Sequence, residues 1–397
     1  MLKKIIKKCS SSEINYQFYS SIDKLPKLDW EHFNTKGNIL FKPGYLKGIE
    51  SSLKNEIEFN YILFFDPQKK PIGFAVTQFI TVNTKELQSR ELPYNICKSI
   101  KNTLLKNIDV NVLVCGNIYA CGEHHFVFNE QQISHKEAYL SLTKALKDTR
   151  NMDHSEKPSY ILIKEFWPQT FENSNEIIKE GFSEINIDPN MVLKLKPHWK
   201  TFDDYLVSMR TKFRTRAKKV LSNSKSIETK NLTANDLIFH KKKIEKLYYS
   251  VIDNAYFKLG KLNIEVFISL KETLLDKFIF TGYFIKSELI GFKTCFVQQN
   301  NIEAFHVGFD YNYKKSHNIY QRILYDYVDL AIKHKVPRLL LGRTSETIKS
   351  CVGAEPVDMK LFVRHRNSIS NKLLKPLTDF ITPNQNEIRN PFKKILN

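Results

Sequence analysis

A histidine on a predicted β-strand is the residue with the clearest capacity for proton transfer. The run from Ala304 to Phe309 has the composition of a strand. Strand alternation places Phe305, Val307 and Phe309 on one face and His306 on the other, between two small residues. Because an imidazole titrates near neutral pH, His306 could act as a general base. The alternative is a structural histidine held by hydrogen bonds.

A second cluster combines acidic and imidazole side chains behind a glycine. The tetrapeptide Gly122-Glu123-His124-His125 predicts a loop in which Glu123 and His124 could face a groove between two domains. Carboxylates and imidazoles are the usual groups of acid-base catalysis. The alternative is an ordinary loop, in which unpaired histidines are common.

A basic run could bind phosphate groups. At helical spacing Lys212, Arg216 and Lys219 share one face, and Arg214 lies between them in the sequence. Such a face could clamp the phosphates of an anionic ligand. The alternative is a solvated helix face without a ligand.

Three polar residues follow a short apolar strand predicted at residues 339–341. Arg343, Thr344 and Lys349 come after its carboxyl end, where open α/β sheets commonly bind ligands. The alternative is that these residues only cap the strand.

The composition bounds the class of protein. A length of 397 residues favours two domains, and a net charge of +19 favours an anionic partner or, alternatively, a lysine-rich surface. The six cysteines form no CxxC pair, and no histidines stand at metal-ligand spacing, so we expect no metal site and a reduced, cytoplasmic setting. We also expect neither a signal peptide nor a membrane-spanning helix.

An internal repeat organises the elements that position these residues. The run Ile72-Gly73-Phe74 is echoed by Ile290-Gly291-Phe292, and each lies on the second strand of a predicted hairpin. Each hairpin is followed by a helix, a buried strand, a short helix and a last strand.

The predicted boundaries of the repeat divide the chain in the middle. The hairpin strands are predicted at 61–65 and 71–79, and at 281–285 and 289–296; the helices at 134–147 and 316–333; the buried strands at 160–163 and 339–341; the last strands at 191–195 and 359–363. Residues 83–109 look like an insertion with a helix at 95–105. We place the domains at 1–197 and 198–397.

This order of elements resembles the GNAT fold, and a tandem pair resembles the Fem-type peptidoglycan aminoacyl transferases. The segments Thr201 to Leu206 and Lys212 to Lys219 are similar to the basic opening of the acyltransferase domain in Fem-like and related "peptidoglycan biosynthesis or recognition" families. The run Leu341 to Ala354 resembles their terminal strand-helix motif. The resemblance implies an α/β fold with a mixed sheet in two GNAT-like halves.

The resemblance also assigns roles to residues. It implies that the strand bearing His306 faces the cleft that admits an acyl donor. The glycine-rich phosphate loop of GNAT acetyltransferases would fall near 312–320, where this chain has no glycine. Lys314, Lys315 and the start of the next helix could still attract phosphate, and Asn318 and Tyr320 are secondary candidates there.

Three functions are consistent with the sequence. The first is an N-acyltransferase that uses acyl-CoA or another acyl thioester as an anionic donor. The second is a Fem-like aminoacyl transferase that uses aminoacyl-tRNA and a cell-wall precursor, with a lipid precursor and peripheral membrane contact as further partners. The third is a catalytically degenerate GNAT pair that only binds a ligand.

Overall fold

The computed structural model describes residues 14–33, 37–83, 108–148, 157–254, 262–372 and 386–393. Most of the predicted insertion, including its helix at 95–105, lies outside these ranges. In the described part, the first half of the chain contributes these strands and helices: β1 (Asn15–Tyr19), α1 (Pro43–Leu53), β2 (Glu58–Phe65), β3 (Pro71–Asn83), β4 (Asp109–Cys115), β5 (Phe126–Phe128), α2 (His135–Lys147), β6 (Tyr160–Phe166), α3 (Phe171–Lys179) and β7 (Ser183–Lys194).

The second half repeats this plan with additional helices before its hairpin. Its elements are α4 (Phe202–Ser208), α5 (Thr211–Asn223), β8 (Glu228–Asn231), α6 (Ala234–Phe239), α7 (Lys241–Asp253), α8 (Glu265–Leu274), β9 (Phe278–Ile285), β10 (Glu288–Val297), β11 (Asn301–Phe309), α9 (Asn312–Ser316), α10 (Ile319–Lys333), β12 (Arg338–Leu340), α11 (Glu346–Ser350) and β13 (Glu355–His365).

The two halves share one topology, as the repeat predicts. In the first half, β2, β3 and β4 are antiparallel and β4 pairs in parallel with β6; in the second, β9, β10 and β11 are antiparallel and β11 pairs in parallel with β12. Gly73 lies on the middle strand of the first trio and Gly291 on that of the second. Each glycine adjoins a shift in the pairing register of its hairpin. The equivalence of the two Ile-Gly-Phe runs is confirmed in this topology.

The last strands of the two halves are exchanged. The sheet order is β1-β2-β3-β4-β6-β13-β7-β12-β11-β10-β9-β8, with β5 paired to β3. Thus β13 lies beside the parallel pair of the first half, and β7 beside that of the second. The two halves form one continuous sheet, so strand pairing crosses the predicted boundary at 197/198. That boundary stays a prediction.

Close helix packing joins the halves on one face of the sheet. Helix α1 of the first half packs on α8 of the second. A Cβ at Gly48 would lie 3.0 Å from the Thr273 hydroxyl, and one at Gly44 would lie 3.0 Å from the Thr273 carbonyl oxygen. Glycine at both positions, one turn apart, therefore allows the two helices to approach closely. The same core cluster contains Tyr45 from the first half and Phe296 from the second, with ring centroids 5.4 Å apart.

The helix starts follow local rules, with one departure. Helix α2 begins after a capping box in which Ser134 and Glu137 satisfy each other's backbone N–H groups. The helix predicted at 316–333 begins at Ile319 instead, as α10, because Asn318 adopts a left-handed conformation with φ of 51° and separates it from α9.

Candidate functional site

The parallel strands of the second half separate after a short paired stretch. Pairing runs from Asn301↔Arg338 to Glu303↔Leu340. Beyond Leu340 the chain stays hydrogen-bonded to β7 on its other side, where Leu341 N donates to Met191 O at 2.8 Å. Strand β11 continues to its end at Phe309 without β12 beside it. A gap therefore opens between the two strands.

A strained turn follows β12 at this gap. Gly342, Thr344 and Ser345 have φ values of 72°, 66° and 52°. The left-handed region is unfavourable for the β-branched Thr344, so the surrounding contacts must hold it. Lys349 supplies two of them, because its Nζ donates to Gly342 O at 3.0 Å and to Arg343 O at 2.6 Å.

The Lys349 ammonium is buried, and its titration reflects this. Burial lowers the pKa of Lys349 to about 8, and the nearby Arg343 charge acts in the same direction. The charge interactions with Cys121 and Glu346 oppose the shift. The geometry makes Lys349 a positioning residue for the turn.

A β-bulge in the first half aims a buried carboxylate at this turn. Three residue steps along β6, from Ile163 to Phe166, face two steps along β13, from Lys360 to Phe362. The extra residue lies at Lys164 or Glu165, and Glu165 has a φ of 53°. Bulges re-aim side chains, frequently beside active sites. Here the Lys164 Nζ and the Glu165 Oε1 lie 3.2 Å apart, although strand neighbours normally point to opposite faces.

Glu165 connects the two halves. Its Oε1 lies 3.3 Å from Arg343 Nη1, and its Oε2 accepts from Gly122 N at 2.5 Å. Burial alone would raise the pKa of Glu165, but Arg343, Lys164 and the Gly122 N–H hold it below its usual range. The Lys164 ammonium also donates to Asn117 O at 2.6 Å and to Ala120 O, which fixes the loop before Gly122.

Arg343 is charged and largely enclosed. Its side chain is 19% exposed. Burial disfavours the charge, but Glu165 and the adjacent Cys121 hold the pKa of Arg343 above its ordinary value. The cluster therefore places a fixed positive charge within the turn that borders the gap.

A histidine-carboxylate pair forms a second contact between the halves. His124 Nε2 lies 2.9 Å from Cys121 O and 3.2 Å from Glu303 Oε1. His124 Nδ1 lies 2.9 Å from Asn38 Nδ2. Asn38 Oδ1 already accepts from Leu40 N at 3.0 Å, so the Asn38 amide must donate to His124. This network selects the neutral tautomer with hydrogen on Nε2.

Burial acts on the pKa of His124 in one direction, and charge and hydrogen bonding act in the other. Burial lowers its pKa, but Glu303, the Cys121 carbonyl and Glu165 outweigh burial and raise the pKa above its usual value. A proton on Nδ1 would point at the Asn38 amide hydrogens. The imidazolium form of His124 therefore requires the Asn38 amide to turn over.

A cavity of about 310 Å³ lies beside this pair, between the halves. Its walls come from the loop around His124, the start of α2, residues 167–170 and the paired beginnings of β11 and β12. Glu123 also lines the cavity, and its Oε2 accepts from Thr170 Oγ1 at 2.9 Å. Glu123 and His124 thus line one cavity, and their role in it stays a prediction.

The basic run lies on an exposed helix, α5. Lys212 and Arg216 are exposed and Arg214 is half-buried. Arg216 Nη1 lies 3.9 Å from the Cys351 sulfur. The carboxyl end of α5 reaches the start of α10, where Asn223 Nδ2 donates to Asn318 Oδ1 at 2.8 Å.

The segment expected to hold phosphate forms the short helix α9 instead of a glycine loop. Lys314 and Lys315 are exposed on it. Tyr320, at the start of α10, is hydrogen-bonded to the Ser345 side chain, although burial raises its pKa. Asn318 and Tyr320 thus connect the basic helix to the strained turn.

The alternation predicted for β11 is wrong, because the strand contains a bulge. Lys293 pairs with Val307 but Cys295 pairs with Ala304, so two β11 residues face the single residue Thr294. Thr294 Oγ1 accepts from His306 N at 2.8 Å and donates to His306 O at 2.9 Å. The bulge turns Phe305 and His306 toward the same side of the sheet, where both rings contact Phe267.

The surroundings of His306 are those of a residue packed among aromatic rings, without the hydrogen bond at Nε2 that the structural alternative assumed. Its ring centroid lies 5.4 Å from that of Tyr248 and 6.0 Å from that of Phe267, and its Nε2 is buried without a hydrogen-bond partner. Burial lowers the pKa of His306 to about 3, which leaves the ring neutral at pH 7. Its catalytic role stays a prediction.

Sequence patterns missed several members of the site. Lys164 and Glu165 are two charges directly behind an apolar strand, and this position at a carboxyl end was the available signal. No such signal in the sequence marks Glu303 or Asn38, because each is a single polar residue whose partner lies far away in the sequence.

Neither metal-ligand clusters nor spanning helices occur in the described ranges. No three His, Cys, Asp or Glu side chains among these residues are grouped to hold a metal ion. No helix in the same ranges is long and apolar enough to cross a membrane.

Solved structures share this architecture. FemX matches with a TM-score of 0.54 at 11% identity, over 88% of this chain and 99% of its own. A tandem GNAT protein from the clavulanic acid biosynthesis pathway matches with a TM-score of 0.50 at 8% identity, over 89% of this chain and 99% of its own. No protein-family profile and no curated protein matches the sequence. The chain therefore has a tandem GNAT fold of the Fem type.

The buried pair between Glu165 and Arg343 should be costly to break. We expect Glu165→Gln to lower the free energy of unfolding at pH 7 by about 3–5 kcal/mol, because Arg343 and Lys164 would lose a buried counter-charge. Urea unfolding measures the change. The exposed pair Lys333–Asp329 provides the control, and Lys333→Met should cost about 0.5 kcal/mol.

The pH dependence of the free energy of unfolding provides a second test of the same pair. A lowered folded pKa means that Glu165 stabilises the fold above its unfolded pKa of about 4.3 and loses this contribution as the pH falls through the folded value. The gap between wild type and Glu165→Gln should therefore shrink on acidification. A gap that is small at pH 7 or independent of pH contradicts the account.

His306→Gln separates the two roles of this residue. We expect a loss of about 1–3 kcal/mol in stability with unchanged turnover per folded molecule, because the ring packs among aromatic side chains. Thermal unfolding and initial rates on one preparation measure both quantities. A rate loss of about a hundredfold without loss of stability would instead establish a general base.

Proposed function

We propose that this chain transfers an acyl group from an anionic, activated donor to an amine. The observation that carries the proposal is the gap between β11 and β12 beyond Glu303 and Leu340 in a tandem GNAT fold. In the GNAT proteins that the sequence resembles, this gap admits the acyl donor. Here it is bordered by the strained turn at 342–345 and by the start of α10.

The donor that we favour is acyl-CoA or another acyl thioester. Lys212, Arg214 and Arg216 would meet its phosphates, since α5 carries these positive charges and its carboxyl end reaches the start of α10. Arg343 and Thr344 would border the acyl group, while Lys349 holds their turn in place.

One observation favours the aminoacyl-tRNA alternative. Helix α9 occupies the segment where GNAT acetyltransferases place a glycine loop for the CoA pyrophosphate. A broad basic face suits a nucleic-acid phosphate backbone without such a loop. FemX shares the fold, and with this donor a lipid-linked precursor and a peripheral membrane contact would follow. A binding protein without activity is the third candidate.

The proposed compartment is the cytoplasm. Acyl thioesters and aminoacyl-tRNA are made there, and the described cysteines, Cys115, Cys121, Cys295 and Cys351, are all unpaired. This agrees with a reducing environment.

A transfer assay tests the proposal. Purified protein is incubated with acetyl-CoA, a longer acyl-CoA or aminoacyl-tRNA, each with a panel of primary amines, and the products are read by mass spectrometry. We expect an amide product and release of the free thiol or tRNA. Donor binding without product from any combination would support the non-catalytic alternative, and the absence of both would overturn the proposal.

The basic run should control donor affinity through charge. We expect the triple change of Lys212, Arg214 and Arg216 to Gln to weaken donor binding and flatten its salt dependence, by up to about 2 in the log–log slope for an RNA donor. Titrations at several salt concentrations measure both effects.

A matched triple variant controls for net charge. Lys27, Lys54 and Lys242 are exposed elsewhere on the chain, and changing them to Gln removes the same charge. If both triple variants change the salt slope equally, the run acts only through the net charge of +19.

A further inference from the structure

The cavity between the halves differs in charge from the chain around it. The protein carries a net charge of +19, yet Glu123, Glu130 and Glu303 line this cavity, with Arg338 as the opposing cation. Glu303 is 4% exposed and lies deepest of the four. A buried carboxylate in such a place favours a cationic ligand over an anionic one.

The remaining walls also suit a cation. Phe126, Phe128, Tyr139 and Trp167 line the cavity. Aromatic faces attract ammonium groups, most strongly where water is excluded. The same rings would bury an apolar or aromatic portion of the ligand.

Two buried polar atoms of the lining lack hydrogen-bond partners. They are Asn301 Oδ1 and His135 Nδ1, and both residues line the cavity. An amide oxygen is an acceptor, and a neutral imidazole with hydrogen on Nε2 presents Nδ1 as an acceptor too. An ammonium group carries only donors, so it is the complementary partner.

Glu303 keeps capacity for a further donor. It accepts from Gln298 Nε2 at 2.6 Å and contacts His124 Nε2 at 3.2 Å. A carboxylate offers about four lone-pair positions, so these contacts orient Glu303 without saturating it.

The cavity adjoins the gap assigned to the donor. Glu303 and Leu340 form the last pair before β11 and β12 separate, and both line the cavity. A ligand held at Glu303 would lie next to the point where an acyl donor would enter. If the proposed transfer reaction takes place, this adjacency would bring a ligand in the cavity close to the acyl donor.

We infer that this cavity binds the acceptor substrate as a small primary ammonium ion with an apolar or aromatic portion, and that Glu303 is its counter-ion. The role of this ligand as the acceptor rests on the proposed function, whereas the binding of a cation does not. A volume of about 310 Å³ lies at the lower end of ordinary ligand pockets, which indicates a small molecule.

Matched probes test the binding claim on the full chain. Butylammonium and phenethylammonium are compared with their uncharged isosteres, 1-butanol and 2-phenylethanol, by ligand-observed NMR and calorimetry at pH 7. We expect at least one ammonium probe to bind at least tenfold more tightly than its isostere. If neither ammonium binds, or if the alcohols bind equally well, the inference is overturned.

Substitutions locate the binding. Glu303→Gln should weaken ammonium binding at least tenfold, while Glu245→Gln, an exposed change on α7, should leave it unchanged. Because Glu303→Gln disturbs the contacts to His124 and Gln298, Asn301→Leu serves as a second variant and should weaken binding several-fold. Thermal unfolding verifies that each variant is folded. Wild-type affinity in both folded variants would overturn the inference.

The outcomes separate this inference from the proposed function. Ammonium binding that depends on Glu303, without any acyl transfer, would support the cation site and refute the transferase. Acyl transfer whose KM for the amine is unchanged by Glu303→Gln would support the transferase and overturn the assignment of the acceptor to this cavity.

Discussion

The exchange of the last strands, β7 and β13, is the constraint on which the rest of the structure depends. Because β13 inserts between β6 and β7, the two halves share one sheet and cannot shift independently. The bulge in β6 lies opposite this inserted strand, and it directs Glu165 toward Arg343 of the other half. Arg343 belongs to the strained turn, which Lys349 holds and Tyr320 contacts from the start of α10. A chain of buried contacts thus runs from the exchanged strand to the edge of the gap.

Charge is distributed so that the two proposed substrates would meet different surfaces. The cations of α5 and α9 are mostly exposed, whereas Glu303 is buried in the cavity between the halves. An anionic donor is attracted over a distance by exposed positive charge, and an ammonium ion is held at short range by a desolvated carboxylate. The two regions meet where β11 and β12 separate, and the proposed reaction would take place at that point.

The sequence predicted the repeated parts of the fold because they depend on local patterns. The Ile-Gly-Phe runs mark equivalent strands, and the periodicity of 134–147 agrees with α2. The exchange of β7 and β13 could not be predicted, since nothing local specifies which parallel pair a last strand joins. The side of the sheet predicted for His306 from strand alternation was wrong, because one extra residue opposite Thr294 shifts the alternation of side chains along β11. Only one member of the His124–Glu303 pair could be predicted. The loop indicated His124, but its partner Glu303 is 179 residues away in the sequence.

Hydrogen exchange on the full chain, with and without the donor that the transfer assay identifies, tests most directly that one site is shared by both halves. We predict slower exchange with donor in the segments 311–320 and 341–349 of the second half, together with 116–125 of the first, because Glu165 and Arg343 couple the loop to the turn. Slowing in both halves at these segments would support a shared site. Slowing confined to one half, or found only at the separate cavity lined by Tyr16, Lys144 and Arg364, would contradict it.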